Sequence, residues 1–480
     1  MFNYSFWADE AYVSGIASGL IFGKLSILQT FNALGYQKLY LLMISLFFRL
    51  FGISEFTARL PSLIFFGIGI IVIFLLARKL SNVYGGILSA FLYIFSHLNL
   101  AYATQAKPYS ALETITLLVI LLIMNLENEK NKRQVFLYHT GILGLLCIAT
   151  LFHSIGVLLW ILYFFYLIST FQRSNVLMLK RLNVLHLFVF IVISSFIFIV
   201  IYPYLSLKLF PYDHLYQVLK LFAYKYTIIS VSAGFGFLWI LKKNKVLSYS
   251  IFTYLIVVLI LTAFQHNMFN IRYVLTLFGI MFLFFGIFWA KVGEKYDQNI
   301  KFKIKNLELS GKIIIPLMVV IILYITGYKI IRWPQVYYNP NIDKYGDVQI
   351  ANYKDFYSQL KKRFPNYKNL YVINDTFDAE YWYFGRYSNA YFMKFVQKPY
   401  KHPLANAFVY GSLSNFKKEM AKHPEGFLIM EDWQSLLPDD VKEYAKKNLK
   451  LESRVESLKE ALDDPWPRAL YSWGMTSIVK

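Results

Sequence analysis

The chain has 480 residues, of which 57% are hydrophobic and only 16% charged, with a formal net charge of +21. Soluble domains carry about 25% charged residues, so the length does not encode three or four soluble domains, and most of the chain must sit in lipid. Aromatic residues make up 19%, which excludes disorder, and the lone Cys147 excludes an intrachain disulfide or a Cys-based metal centre.

The first ten residues hold Asp9 and Glu10 and no basic stretch, so no cleaved signal peptide is expected there. Residues 36–51 are amphipathic, with Lys38 and Arg49 near the ends, and are predicted to form a helix lying at the outer membrane interface. Runs without Lys, Arg, Asp or Glu then follow at 60–77, 85–106, 108–126 (broken only by Glu113), 134–172, 182–207, 226–241, 246–271, 273–290 and 313–328. The run 134–172 is about twice one span and is expected to turn near His153. The prediction is therefore about ten spans. From Trp333 the charges return. Short strands are expected at 370–373 and 427–430, and helices at 375–384 and 438–448.

Basic residues fall on alternate connections, 17 on one set and 5 on the other. The positive-inside rule puts the richer set in the cytoplasm, so the net charge reflects basic loops rather than a nucleic-acid surface. Both termini are then expected outside. The expected domains are an outer-face acidic loop and interfacial helix (1–54), a transmembrane domain (55–332) and an extracytoplasmic, soluble α/β domain (333–480).

Four places could carry chemistry. Asp9-Glu10 reads either as a solvated surface or as a base able to accept a proton from a hydroxyl. Thr104-Gln105-Ala106-Lys107-Pro108-Tyr109 stands at the outer end of an inward-running span. Proline favours the first helical turn, a helix N-terminus attracts anions, and Lys107 adds a full charge. This is a phosphate site, or a lysine snorkelling to the headgroups. His153 is a polar cap or a site residue, and Arg272 a headgroup anchor or a ligand. Asp9, Lys107, His153 and Arg272 all map to one predicted face. A carboxylate with cations on one face suits transfer from a phosphate leaving group to a hydroxyl. There is no P-loop, Rossmann glycine fingerprint or HExxH, which argues against a nucleotide-driven pump or a zinc protease and indicates neither cofactor nor metal.

These residues carry a resemblance. The chain resembles the GT-C superfamily of integral-membrane glycosyltransferases, above all the polyprenyl-phosphate-sugar-dependent branch that includes protein O-mannosyltransferases and the aminoarabinose transferase of lipid A. Asp9-Glu10-Ala11-Tyr12 resembles the acidic motif of the family's first outer loop. The most specific likeness is Leu50-Phe51-Gly52-Ile53-Ser54-Glu55-Phe56-Thr57-Ala58-Arg59-Leu60-Pro61-Ser62, similar to the segment entering the second family span. Residues 102–109 and Phe152-His153 are similar to further outer-loop motifs, and Arg272-Tyr273 opens a late span. The likeness covers roughly 5–160 well, 160–330 by topology, and not the tail. The chain departs from the pattern at Gln37-Lys38-Leu39, where members often show Pro-Pro-Leu, and at Gln105 and Lys107, where many have Glu and Arg. Losing the second acid weakens a two-carboxylate or metal-assisted site. The family also has a span ahead of the acidic loop.

The resemblance implies a GT-C-like, multi-span α-helical membrane protein. It implies an inverting transfer of sugar from a polyprenyl-phosphate donor to a hydroxyl acceptor (glycan, lipid or protein) at the outer face of the cytoplasmic membrane. Asp9, with Glu10, would be catalytic, and Lys107, Arg272 and Arg59 would hold the donor phosphate. Gln105, Tyr109 and His153 would bind substrate. The alternative is a transporter or flippase of lipid-linked glycans. Transporters carry ionisable residues mid-membrane and often show repeated halves. Here Glu113 is the main such residue, and no repeat is evident.

Overall fold

The computed structural model describes residues 5–33, 37–173, 222, 226–263, 271–297, 301–304, 307–325, 337–338, 347–348, 352–402, 404–431, 435–456 and 467–475. Three helices open it: α1 (Ala8–Ile21), α2 (Ile27–Ala33) and α3 (Lys38–Phe51). The start of the chain is thus not an acidic loop before a single helix, because Asp9 and Glu10 lie in the first turn of α1. Small and β-branched residues fill 13–19, and their helix propensity is poor. Packing forms the helix instead, with Val13, Ser14, Ile16 and Ala17 all buried. Helix α3 turns Tyr40, Leu41, Ile44 and Phe48 inward and leaves Leu46, Leu50 and Phe51 exposed.

The bundle continues with α4 (Glu55–Leu80), α5 (Val83–Phe95), α6 (His97–Ala103), α7 (Tyr109–Leu126), α8 (Lys132–Phe152), α9 (Leu159–Arg173), α10 (Thr227–Lys243), α11 (Lys245–Ala263) and α12 (Leu275–Tyr296). A hairpin of β1 (Lys301–Ile304) and β2 (Leu307–Ser310) precedes α13 (Gly311–Ile325). Among the described residues, α4, α7, α8 and α12 are long and apolar enough to cross a membrane, and 83–95, 154–170, 245–260 and 311–323 are shorter apolar helices. The expected span 182–207 lies outside the described residues. The expected span 85–106 is instead two helices, divided at Ser96, whose Oγ accepts the Asn99 N–H and caps α6. Near His153 the chain turns as expected: α8 ends at Phe152, with His153 as its C-cap.

The central helices are α7 and α12, each with 78% of its apolar window buried, against 44% for α4 and 33% for α8. A helix apolar on every side belongs in the middle of a bundle. Gly286 lets α12 approach α5, since a Cβ there would meet Ser89 Oγ at 2.0 Å. The connections at one end of the bundle are tied by polar contacts. Lys79 bonds Asn125, and Asn244 bonds Glu127. Asn82 Nδ2 donates to Glu294 at 2.5 Å, and Lys312 pairs with Asp297 at 2.7 Å. Asp9, Lys107, His153 and Arg272 gather away from these contacts.

The tail holds a two-stranded pair, β3 (Tyr337–Tyr338) and β4 (Asp347–Val348), then α14 (Tyr353–Arg363), β5 (Tyr371–Asn374), α15 (Glu380–Tyr383) and β6 (Ala390–Phe392). It continues with β7 (Tyr400–Lys401), β8 (Phe408–Tyr410), α16 (Leu413–Lys422), β9 (Gly426–Glu431), α17 (Asp439–Asn448), β10 (Lys450–Val455) and β11 (Arg468–Trp473). Strands β5 to β11 form one seven-stranded sheet in the order β10-β11-β9-β5-β6-β8-β7, with β9, β5, β6 and β8 parallel. Both expected strands and the helix expected at 438–448 are present. The helix expected at 375–384 shrinks to 380–383. Asn374 Oδ1 takes the Asp375 N–H at 2.9 Å and Thr376 Oγ1 the Asp378 N–H at 3.3 Å, so side chains satisfy the backbone that a helix would have paired.

This tail domain docks on α1. Phe6 N donates to Tyr383 Oη at 2.6 Å, Trp382 packs on Phe6 and Phe48 at 5.0 and 5.7 Å, and the Tyr381 ring approaches Gly15. Buried Glu380 pins α15 by accepting from Asn374, Ser388 and Tyr391. One apolar core therefore runs from the membrane helices into the tail.

Candidate active site

Adjacent positions on a helix point about 100° apart, and Asp9 and Glu10 use that divergence. Glu10 points inward and is fully buried. It receives Arg59 Nε at 3.0 Å and Nη2 at 3.2 Å, Ala106 N at 2.7 Å and Trp7 N at 3.0 Å. Arg59, equally buried on α4, also lies over the Phe6 ring at 4.8 Å. The pair ties α1, α4 and the 104–108 loop together.

Asp9 points outward, and 41% of its side chain is exposed. Its Oδ2 lies 3.3 Å from Lys107 Nζ and 3.0 Å from Arg272 Nη1. Burial opposes ionisation of Asp9, yet the charges and hydrogen bonds of Lys107 and Arg272 outweigh it and hold the carboxyl well below the usual carboxylate range. Burial lowers the Lys107 ammonium, with Asp9 opposing the shift and Arg272 adding to it. Lys107 is fixed from behind: Ser62 Oγ donates to its carbonyl at 2.7 Å, and Tyr40 Oη bonds Ser62. Pro108 caps α7, and its carbonyl accepts Leu112 N–H at 2.9 Å. The α7 N-terminus therefore opens beside Lys107.

Tyr109 and His153 form the next layer. Arg272 lies over the Tyr109 ring at 5.7 Å, and Tyr109 Oη is 3.5 Å from His153 Nε2. His153 Nδ1 accepts the Ile155 N–H at 3.1 Å, which puts the ring proton on Nε2, toward Tyr109. Burial first, then the charges of Arg272 and Lys107, lower the imidazole to about 3, so it is neutral. Gln105 is buried, and its Oε1 has no hydrogen-bond partner among the described residues.

Of the sequence-predicted residues, Asp9, Lys107, Arg272, Tyr109 and His153 thus form one connected cluster, and Gln105 stands in the same loop as Lys107. Arg59 and Glu10 differ: each is engaged by the other inside the protein, one residue away from the open cluster. One acid escaped the sequence reading. Asp378 follows β5 on the tail domain, where Phe377 packs on Tyr12 at 5.8 Å, one turn along α1 from Asp9. No local motif marks it. The only sequence signal is its place just after an apolar strand.

The family model for dolichyl-phosphate-mannose-protein mannosyltransferase matches residues 39–200, about a third of the chain. The match includes Arg59, Gln105, Lys107, Tyr109 and His153 and excludes Asp9 and Arg272. The fold resembles that of ArnT from Cupriavidus metallidurans in the apo state, with a TM-score of 0.60 at 11% identity over 98% of this chain and 94% of that one. The same protein bound to undecaprenyl phosphate gives 0.58 at 12% identity, with the same coverage. The Archaeoglobus fulgidus oligosaccharyltransferase in complex with Zn and sulfate gives 0.54 at 9% identity, over 89% of this chain and 64% of that one. No curated protein matches in sequence. Residues 39–200 thus match that family model, and the likeness to ArnT shows a shared fold over nearly the whole chain.

Proposed function

We propose that this protein is an inverting glycosyltransferase that moves a sugar from a polyprenyl-phosphate carrier to a hydroxyl acceptor at the outer face of the cytoplasmic membrane. The tail, 333–480, would then be an extracytoplasmic domain. The observation that carries the reading is the Asp9 carboxylate gripped by Lys107 and Arg272 beside the α7 N-terminus. The undecaprenyl phosphate on the similarly folded ArnT supports a lipid-phosphate ligand.

The leaving group is already a stable anion and needs no general acid. It needs positive charge where negative charge develops. Lys107, Arg272 and the α7 N-terminus supply it, while Glu10 and Arg59 hold the frame. The bond from the anomeric carbon to the phosphate oxygen breaks as the acceptor oxygen bonds that carbon from the opposite face. The acceptor proton passes to Asp9. One displacement by one nucleophile inverts the anomeric centre.

Between two cations Asp9 is a weak base. A donor phosphate taking Lys107 and Arg272 for itself leaves Asp9 beside an anion, which raises its proton affinity. Donor binding therefore activates the base. Tyr109, His153 and Gln105 would hold the sugar, with Gln105 Oε1 able to accept a sugar hydroxyl. The test is purified protein with labelled polyprenyl-phosphate sugars and an envelope lipid and glycan extract, scored for release of free polyprenyl phosphate. Turnover with an inverted product supports the reading, and absence of release from every donor refutes it.

A further inference from the structure

The tail sheet has a place where ligands would be expected. From β5 the chain goes to β6 and then β8 on one side, and returns by α16 to β9 on the other side of β5. Such a switch point between parallel strands opens a crevice at their carboxyl ends. Here Arg468 fills its base, paired with Glu431 at 2.8 Å and Asp375 at 3.5 Å, and Ser435 Oγ donates to Asp375 at 2.9 Å. The base is thus closed by these pairs, and the loop leaving β5 carries the part-exposed Asp378.

That loop faces the membrane site. Phe377 touches Tyr12 at 5.8 Å, and Asp378 is half-buried within the electrostatic reach of both Asp9 and Lys107. Only one bond to the Asp378 carboxylate is seen among the described residues, from Thr376 Oγ1 to Oδ2 at 2.9 Å. Tyr12, Phe377 and Tyr387 around it are each part-exposed. We propose that Asp378 is an acceptor-positioning residue, through which the tail domain holds the incoming hydroxyl compound against Asp9. This rests on the glycosyltransferase reading above and assigns the acceptor side of that same site.

The groups facing Asp378 are Asp9 from α1, Lys107 from the 104–108 loop, Glu431 from β9, Tyr353 from α14 and Tyr387 before β6. Burial, then the charges of Asp9 and Glu431, push its carboxyl up to about 7, with Thr376 and Lys107 opposing. The ionised form accepts a hydrogen bond from an acceptor hydroxyl, and protonation below that pH removes it.

The experiment uses the full chain in detergent or nanodiscs, with a labelled undecaprenyl-phosphate sugar as donor and an envelope lipid and glycan extract as acceptor. Wild type, Asp378→Asn and Asp378→Glu are compared from pH 5.5 to 8.5. In wild type the half-saturating amount of extract should rise as pH falls through about 7. Asp378→Asn should need about tenfold more extract, the size of one lost charged hydrogen bond, and should lose that pH limb. Asp378→Glu should restore part of both. Undecaprenyl phosphate titration should give all three proteins similar affinity. Unchanged extract dependence and pH profile in Asp378→Asn would overturn the assignment. A wild type that neither binds undecaprenyl phosphate nor releases it would instead sink the glycosyltransferase reading itself.

Discussion

The two ends of the helical bundle both carry charge, but they are built differently. At one end the contacts join helix ends and connections that lie side by side: Lys312 with Asp297, Asn82 with Glu294, Asn244 with Glu127. Such pairs hold neighbouring helices together and are worth little each where they are exposed. At the other end it is the ion pairs that join remote parts of the chain. Asp9 meets Arg272 across 263 positions, and Glu10 meets Arg59 across 49. Here one layer is wholly buried and one is open. On the proposed mechanism, stability and chemistry are divided between adjacent residues of a single helical turn.

That division can be broken by mutation. The largest effect is expected at Asp9. Asp9→Asn should lower transfer by ~10²–10⁴-fold, the usual scale of a lost general base, with a modest fall in melting temperature as Lys107 and Arg272 lose their counter-charge. Measuring rate and melting on one preparation checks both. A mutant keeping more than about a tenth of wild-type turnover removes Asp9 from the base role.

Next is Lys107→Ala, expected to cut turnover by ~10²–10³-fold, as for other donors aimed at developing charge. Lys107→Arg should keep part of the rate, since the charge survives in a different geometry. Lys38→Ala, at the start of α3, serves as the comparison and should behave as wild type. Equal losses in Lys107→Ala and Lys38→Ala would make Lys107 a headgroup anchor.

Glu10→Ala should act through folding. Removing one partner of a buried ion pair costs about 3–5 kcal/mol, so yield and melting temperature should fall far more than in Asp9→Asn. Glu10→Gln, which keeps an acceptor for Ala106 N–H, should fall between. A Glu10→Ala protein that melts like wild type but is inactive would return Glu10 to the chemistry. The smallest perturbation is a topology map. Reporters at Glu129 and Asn244 should lie on the cytoplasmic side, and reporters at Tyr212 and the C-terminus outside. A cytoplasmic C-terminus would separate the tail domain from the site.

Much of this was legible in the sequence. Charge-free runs mark the bundle helices because lipid tolerates little else, and the gathering of Asp9, Lys107, His153 and Arg272 followed from counting connections. Hydropathy could not show α1, whose residues 13–19 are helical through burial rather than propensity. Nor could it show the break at Ser96, which is a local cap inside an apolar run. Arg59 looked like a phosphate ligand because charge is visible in sequence and pairing is not. Only the fold reveals that Glu10 consumes it. Asp378 was hidden for the converse reason: the tail domain had to be docked on α1 before its loop had anything to face.

The central claim is that Asp9 occupies a lipid-phosphate site, holding two cations that the donor will take over. Titration of undecaprenyl phosphate into wild type, Lys107→Ala, Arg272→Ala and Asp9→Asn tests it directly. Saturable binding should weaken by about 10–100-fold in each cation variant, the scale of a charge-assisted hydrogen bond. In Asp9→Asn it should tighten, because the competing carboxylate is gone. Equal affinity in all four proteins, or weaker binding in Asp9→Asn, would contradict the account.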